Sequence, residues 1–198
     1  MSVGMGKYVT CDATKCSGCR ACEMACFAEH NRIENGVGKT IGTVEVPVTP
    51  KLYVTRFNEY ISAPIQCKHC EDSPCINVCS KNAITRINGQ VIANAEKCIG
   101  CKDCMLACPF GAIDLLPVHK DKKPVWQMDG CTIEKVASKC NLCMDNPEGP
   151  ACVRVCPNNA LRIVEPSDEK TAKNKNAVKA LYDVAVMQKE LGGNYEGY

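Results

Sequence analysis

The chain has 198 residues, 24 basic against 22 acidic side chains, 18 cysteines and few aromatics: one Trp, three Phe and six Tyr. That length is one domain or two small ones, and so few large apolar bodies exclude an ordinary hydrophobic core as the sole support of the fold. The charge is nearly balanced with no run of one sign, which gives no sign of a nucleic-acid partner, and cysteine this dense calls for a metal or covalent framework.

The first residues, Met1-Ser-Val-Gly-Met-Gly-Lys7, hold no apolar export segment and no twin arginine. No stretch approaches the ~20 apolar residues needed to span a bilayer. The expectation is a cytoplasmic chain with no direct membrane span. Disulfides are rare in such a compartment, so the cysteines read as metal ligands.

In chain order, the first cysteine group is Cys16-x2-Cys19-x2-Cys22-x3-Cys26. This is the bacterial ferredoxin spacing. Three thiolates on one short loop reach three irons of a single cubane. The fourth is expected at the start of a helix, pointing away towards a partner cluster. Residues 31–66 read as an insertion, and 41–57, which alternate and hold two prolines, as an edge strand within it. Gly36-Val-Gly-Lys-Thr40 imitates the end of a phosphate-binding loop, but the full pattern needs glycine where Ile33 stands. Nucleotide binding is therefore rejected.

The second group is Cys67-x2-Cys70-x4-Cys75-x3-Cys79. The segment after it, Ser80-Lys-Asn-Ala-Ile-Thr-Arg-Ile87, predicts a short helical turn, a small residue and a strand. Asn88-Gly89 then predicts a hairpin turn. The third group, Cys98-x2-Cys101-x2-Cys104-x3-Cys108, repeats the ferredoxin spacing with its trailing Pro109. Residues 117–130 read as a second insertion. The fourth group is Cys140-x2-Cys143-x8-Cys152-x3-Cys156. The segments after Cys108 and Cys156 repeat the pattern that follows Cys79. The shortest joint lies between groups two and three, so those two are expected to pair, leaving group one to pair with group four.

Zinc needs four ligands, typically from paired C-x2-C knuckles. It explains neither the third cysteine of each run nor the trailing one. Iron–sulfur clusters explain both, and a disulfide scaffold is the least favoured reading. Ser167 is expected to cap a helix from about Asp168 to Gly192-Gly193. Its stripe of Val178, Leu181, Val184, Ala185, Met187 and Leu191 reads as packing on the chain's own surface, with docking to a partner subunit as the alternative.

The segments Cys16-Ser-Gly-Cys-Arg-Ala-Cys-Glu-Met-Ala-Cys26, Cys67-Lys-His-Cys-Glu-Asp-Ser-Pro-Cys75, Cys98-Ile-Gly-Cys-Lys-Asp-Cys-Met-Leu-Ala-Cys-Pro-Phe-Gly-Ala112 and Cys140-Asn-Leu-Cys143 resemble a known family. It is the four-cluster ferredoxin-like electron-transfer subunits of the molybdopterin oxidoreductase type. Similar subunits serve formate dehydrogenases, formate hydrogenlyase, carbon monoxide dehydrogenases and aldehyde oxidoreductases. The likeness runs from about Lys7 to Glu165. It implies an α+β fold of two interleaved ferredoxin-like (βαβ, pseudo-twofold) units with insertions and a C-terminal helix. Residues 1–30 with 131–165 would form an outer two-cluster unit, 67–116 an inner one, and 166–198 the amphipathic helix and tail. It also implies four [4Fe-4S] clusters. One would take Cys16, Cys19, Cys22 and Cys156, the next Cys26, Cys140, Cys143 and Cys152. The inner pair would take Cys67, Cys70, Cys75 and Cys108, then Cys79, Cys98, Cys101 and Cys104. Phe27 and Ser80 stand where the family pattern has proline.

The implied function is an electron wire between a catalytic oxidoreductase subunit and a second electron carrier. The catalytic subunit would be of the carbon monoxide dehydrogenase, formate dehydrogenase, hydrogenase or aldehyde oxidoreductase type. The chain would hold no catalytic residue of its own. Alternatives are a redox enzyme acting at an open-iron cluster, or a structural metal module. Outside the ligand set, Cys11 and Cys131 read as small hydrophobes or free thiols, and His69 as an exposed loop histidine. Lys68, Lys97, Lys102 and Lys139 flank ligands, where positive charge raises a cluster's potential, although most read as solvated.

Overall fold

A computed structural model describes residues 6–30, 49–120, 123–127 and 129–190. Gly36–Thr40, residues 41–48 of the expected edge strand and the Gly192-Gly193 stop lie outside the described residues. The chain divides into two units, Met1–Ile163 and Val164–Tyr198.

The first unit is a mixture of short helices and two-stranded sheets, as a small ferredoxin-like α+β protein requires. Each cysteine group builds its helix in the same way. The third cysteine is the second residue of α1 (Ala21–His30), α2 (Pro74–Asn77), α3 (Asp103–Ala107) and α4 (Ala151–Arg154). Pro74 opens α2 at the first position, where its missing N–H costs nothing.

The trailing cysteine does not start a helix, which corrects the expectation from the sequence. Cys108 is the C-cap of α3, Cys79 and Cys156 each follow a C-cap valine, and Cys26 lies inside α1. The physical reason is the spacing. Four residues make about one helical turn, so a one-turn helix opened by the third cysteine has ended at the fourth. For the same reason the helical turn lies before the trailing cysteine and not after it. After it the chain reverses through a left-handed residue: Asn82 (φ 49°), Gly111 (φ 59°) and Asn159 (φ 49°). Asn and Gly are the types that visit this region readily. A buried or half-buried alanine follows, then a strand: β4 (Ile84–Ile87), β6 (Ile113–Pro117) and β10 (Leu161–Val164).

Strand β10 pairs with β1 (Tyr8–Cys11), joining the two ends of the first unit. Strand β4 pairs antiparallel with β5 (Gln90–Ala93) across Asn88 (φ 49°) and Gly89 (φ 80°), both in the left-handed region that a two-residue hairpin turn demands. Strand β6 pairs with β9 (Lys135–Lys139), and between them β7 (His119–Lys120) and β8 (Lys123–Pro124) form a small hairpin. Strand β2 (Tyr53–Arg56) pairs with β3 (Ser62–Ile65), with Val54 opposite Pro64. Strand β3 carries no clear signal in the sequence because Pro64 interrupts it. A two-stranded ladder has only edges, so it accepts the proline.

The interior is largely sulfur. One buried cluster joins Val9, Leu52, Leu142 and Leu161 to Cys22, Cys26, Cys67, Cys140 and Cys152. The other joins Ile84, Val91, Ile113 and Ala137 to Cys75 and Cys104. The second unit contains α5 (Pro166–Glu190), which starts earlier than expected. Pro166 opens it, and the Glu165 carbonyl accepts from the N–H groups of Asp168 and Glu169, so Ser167 sits inside the first turn instead of capping it.

Candidate metal centre

Three cavities in the first unit have cysteine walls. Cys16, Cys19, Cys22 and Cys156 line one of about 330 Å³, together with Cys11. Cys79, Cys98, Cys101 and Cys104 line a second of about 360 Å³. Cys67, Cys70, Cys75 and Cys108 line a third of about 320 Å³. The remaining cysteines also meet: Cys152 feels the charges of Cys140, Cys26 and Cys143. Each assembly takes thiols from two cysteine groups that are distant in sequence. Among the described residues, no three His, Cys, Asp or Glu side chains converge as they would on one metal ion.

The loops that carry the first two cysteines of each group turn through a left-handed residue just before the second. These are Gly18 (φ 70°), His69 (φ 47°), Gly100 (φ 69°) and Leu142 (φ 56°). Glycine meets that demand without strain, whereas His69 and Leu142 are held there by the surrounding structure. A Cβ at Gly100 would run into the Lys135 carbonyl, so this loop also needs glycine for close approach.

Backbone N–H groups are aimed at the sulfurs. Ala83 donates to Cys79 Sγ at 3.2 Å, Ala112 to Cys108 Sγ at 3.4 Å and Ala160 to Cys156 Sγ at 3.2 Å. This is the left-handed turn of the repeat put to use. Cys26, inside α1, receives its N–H from Lys51 at 3.3 Å instead. Such donors favour the thiolate. Burial opposes them, raising Cys22, Cys26 and Cys75 to about 11 and Cys140 to about 12. At Cys156 burial also raises the thiol, but N–H donors from Ala160, Leu161, Asn158 and Asn159 outweigh it and the net shift is downward.

The donor set therefore fits clusters of iron and sulfide. It is all thiol, arranged around cavities and supplied with N–H groups for negatively charged sulfur. Buried polar atoms without a partner among the described residues include both amide atoms of Gln66, beside Cys67, and His69 Nε2. The two nitrogens among them, Gln66 Nε2 and His69 Nε2, are donors that a buried anionic group would satisfy.

Two residues differ from their sequence reading. His69 is fully buried, and its Nδ1 accepts the Val91 N–H at 3.0 Å. Burial, then Lys139 and Arg86, hold its pKa down to about 3, so the ring is neutral. Lys139 is 4% exposed, and its Nζ donates to the carbonyls of Val91 and Cys140. The sequence does hold a faint signal for it, since Lys139 shares the buried face of β9 with Ala137. Lys97 and Lys102 are exposed, as expected. Lys68 is half-buried, with Nζ donating to the Val9 carbonyl at 3.0 Å and standing 5.6 Å from the Tyr8 ring centre. Cys11 lines the first cavity beside Cys16, and burial raises its thiol to about 12. Cys131 is exposed.

Among the described residues no helix is long and apolar enough to cross a membrane. Residues 58–166 match the model of the 4Fe-4S dicluster domain. The chain is 39% identical over 183 residues to formate hydrogenlyase subunit 2 of Escherichia coli, covering 83% of this chain and 84% of that one. It is 37% identical over 166 residues to the electron transport protein HydN of Escherichia coli, covering 81% of this chain and 89% of that one. It is 36% identical over 182 residues to hydrogenase-4 component A of Escherichia coli, covering 81% and 83%. A chain of the active site complex BamBC of benzoyl coenzyme A reductase aligns over 93% of this chain and 97% of its own, with 23% identity and a TM-score of 0.34, too low to carry an argument. With its dicluster domain and these relatives, the chain belongs to the ferredoxin-like 4Fe-4S electron-transfer subunits, and its part is to carry electrons rather than to catalyse.

Proposed function

We propose that the chain holds four [4Fe-4S] clusters and relays single electrons along them. The ligand sets are Cys16, Cys19, Cys22 and Cys156; Cys26, Cys140, Cys143 and Cys152; Cys67, Cys70, Cys75 and Cys108; and Cys79, Cys98, Cys101 and Cys104. The observation that carries this reading is the set of three cavities, each walled by one of these quartets. The fold is read as two interleaved ferredoxin-like units, an outer one from residues 1–30 with 131–165 and an inner one from 67–116. Cys22 and Cys26 on α1 would tie the two outer clusters together. Cys75 and Cys79, one turn apart, would tie the two inner ones.

The clusters supply the one-electron chemistry when bound. The chain's own residues hold them, donate hydrogen bonds to sulfur and exclude water. Exposure supports an order along the wire. Cys19 and Cys101 are exposed, whereas Cys67 and Cys140 are buried and lie in each other's electrostatic reach. Electrons would thus enter and leave near Cys19 and Cys101 and cross between the units at Cys67 and Cys140. One end serves a catalytic oxidoreductase subunit and the other a second electron carrier. The relatives' names favour a formate or hydrogenase type of catalytic partner over a carbon monoxide dehydrogenase.

Iron and sulfide analysis of the anaerobically purified, reconstituted chain tests the count. About sixteen irons per chain are expected for four cubanes, and eight or fewer would overturn the reading. Metal analysis of the native complex tests the partner. Molybdenum or tungsten points to formate chemistry, and nickel to a hydrogenase or carbon monoxide dehydrogenase.

A further inference from the structure

A buried ammonium is costly unless an opposite charge faces it. Lys139 is buried, its Nζ donates to two carbonyls, and no carboxylate among the described residues pairs with it. Its charge acts on His69 and Lys51, both cationic when protonated, and on two thiols, Cys75 and Cys140. These two thiols belong to different quartets, one in the inner unit and one in the outer. Cys67 of the inner quartet also lies within electrostatic reach of Cys140 and shares its buried core. Lys139 therefore stands at the seam where the two units meet.

We infer that Lys139 sets the reduction potentials of the two clusters that face each other across this seam, holding them above the values their thiolate ligation alone would give. This rests on the four-cluster reading and deepens it. Reducing a cluster adds one electron and one negative charge. A fixed positive charge nearby stabilises the reduced form more than the oxidised one. Burial removes the water that would screen it. The outer seam cluster has a second cation close by, since Lys51 acts on Cys26 and Cys143. The inner one, held by Cys67, Cys70, Cys75 and Cys108, depends more on Lys139. Lys139 is thus a positioning residue for charge, not a ligand.

The test is a potentiometric titration with dithionite, read by the electron paramagnetic resonance of each cluster, on the full chain carrying its complete iron. Lys139→Met and Lys139→Gln remove the charge, and the amide of the second still offers an N–H to the Val91 carbonyl. Either should shift the reduction equilibrium of two clusters at least tenfold towards the oxidised form, 59 mV for a one-electron couple. The other two should move less than threefold. Lys139→Arg should stay within threefold throughout, and Lys102→Met, at an exposed lysine, should leave the two seam clusters unmoved. Full iron with all four potentials unchanged, or all four moved alike, overturns the inference. Should both neutral variants lose iron, the wild-type chain still decides. Raising the salt must leave two potentials fixed while those of the exposed ends move, and four equal shifts overturn it. A wild-type chain that never reaches sixteen irons defeats the four-cluster reading instead.

Discussion

The loops at Cys19 and Cys101 and the seam around Cys67 and Cys140 use the same thiols on the same loop design, yet their surroundings are opposite. At the ends the second cysteine of the group is exposed, glycine makes the left-handed turn, and the flanking Arg20 and Lys102 reach solvent. At the seam the cysteines are buried, and His69 and Leu142 make that turn at some cost in strain. A buried histidine accepts the Val91 N–H and a buried lysine donates to the Val91 carbonyl. The difference separates two tasks of an electron carrier. On the proposed four-cluster reading, its ends would be approached by other proteins, whereas its middle would be dry enough for one charge to act on a potential.

The largest test of this contrast removes a ligand from the middle. Cys140→Ala should cost about four of the sixteen irons and stop electrons passing between the two ends, while Cys131→Ala, at an exposed thiol, should leave iron content unchanged. Metal analysis and stopped-flow reduction read both outcomes. Equal iron in the two variants would break the comparison.

Next in size is the effect of pH on the metal-free, reduced chain. Burial raises Cys22, Cys26 and Cys75 to about 11 and Cys140 to about 12, from 9.0 in the open chain. A raised folded value means that the stabilisation is fully present below pH 9.0 and is lost as the pH climbs towards 12. Urea midpoints should therefore be flat below that pH and fall above it. A rise with pH in that window contradicts the burial of these thiols.

Replacing His69 by Leu should cost roughly 1–3 kcal/mol, the penalty for leaving the buried Val91 N–H without its acceptor. Denaturant unfolding of the reconstituted chain measures this. The smallest effects lie at the glycines. Gly111→Ala meets no atom within 4 Å and should cost only about 1–2 kcal/mol of left-handed strain. Gly100→Ala adds a collision with the Lys135 carbonyl and should cost visibly more in the same assay.

The four cysteine groups are plain in the sequence, and three of the quartets expected from their spacing line cavities in the structure. The Asn88-Gly89 hairpin was equally plain, since few residue pairs accept two left-handed positions. The helix that ends at three of the four trailing cysteines was misplaced. The C-x3-C spacing fits a helix before that cysteine as well as one after it, and the choice depends on Asn82, Gly111 and Asn159 turning the chain. His69 and Lys139 were read as exposed or solvated because their types usually are. Their burial comes from tertiary contacts that the local sequence does not encode, since both side chains hydrogen-bond to Val91 of β5. The first group shows the limit of the repeat. Ser80 replaces proline without changing the turn at Cys79, whereas Phe27 goes with a continued helix and an N–H borrowed from Lys51.

The sulfur-rich interior carries a consequence for biogenesis. Thiols as deeply enclosed as Cys140 and Cys152 resist losing their protons once the chain has closed over them. On the proposed ligand sets, iron and sulfide would reach the quartet of Cys26, Cys140, Cys143 and Cys152 more readily while the chain is still open. The polypeptide and its inorganic cargo would then become one body in a single step.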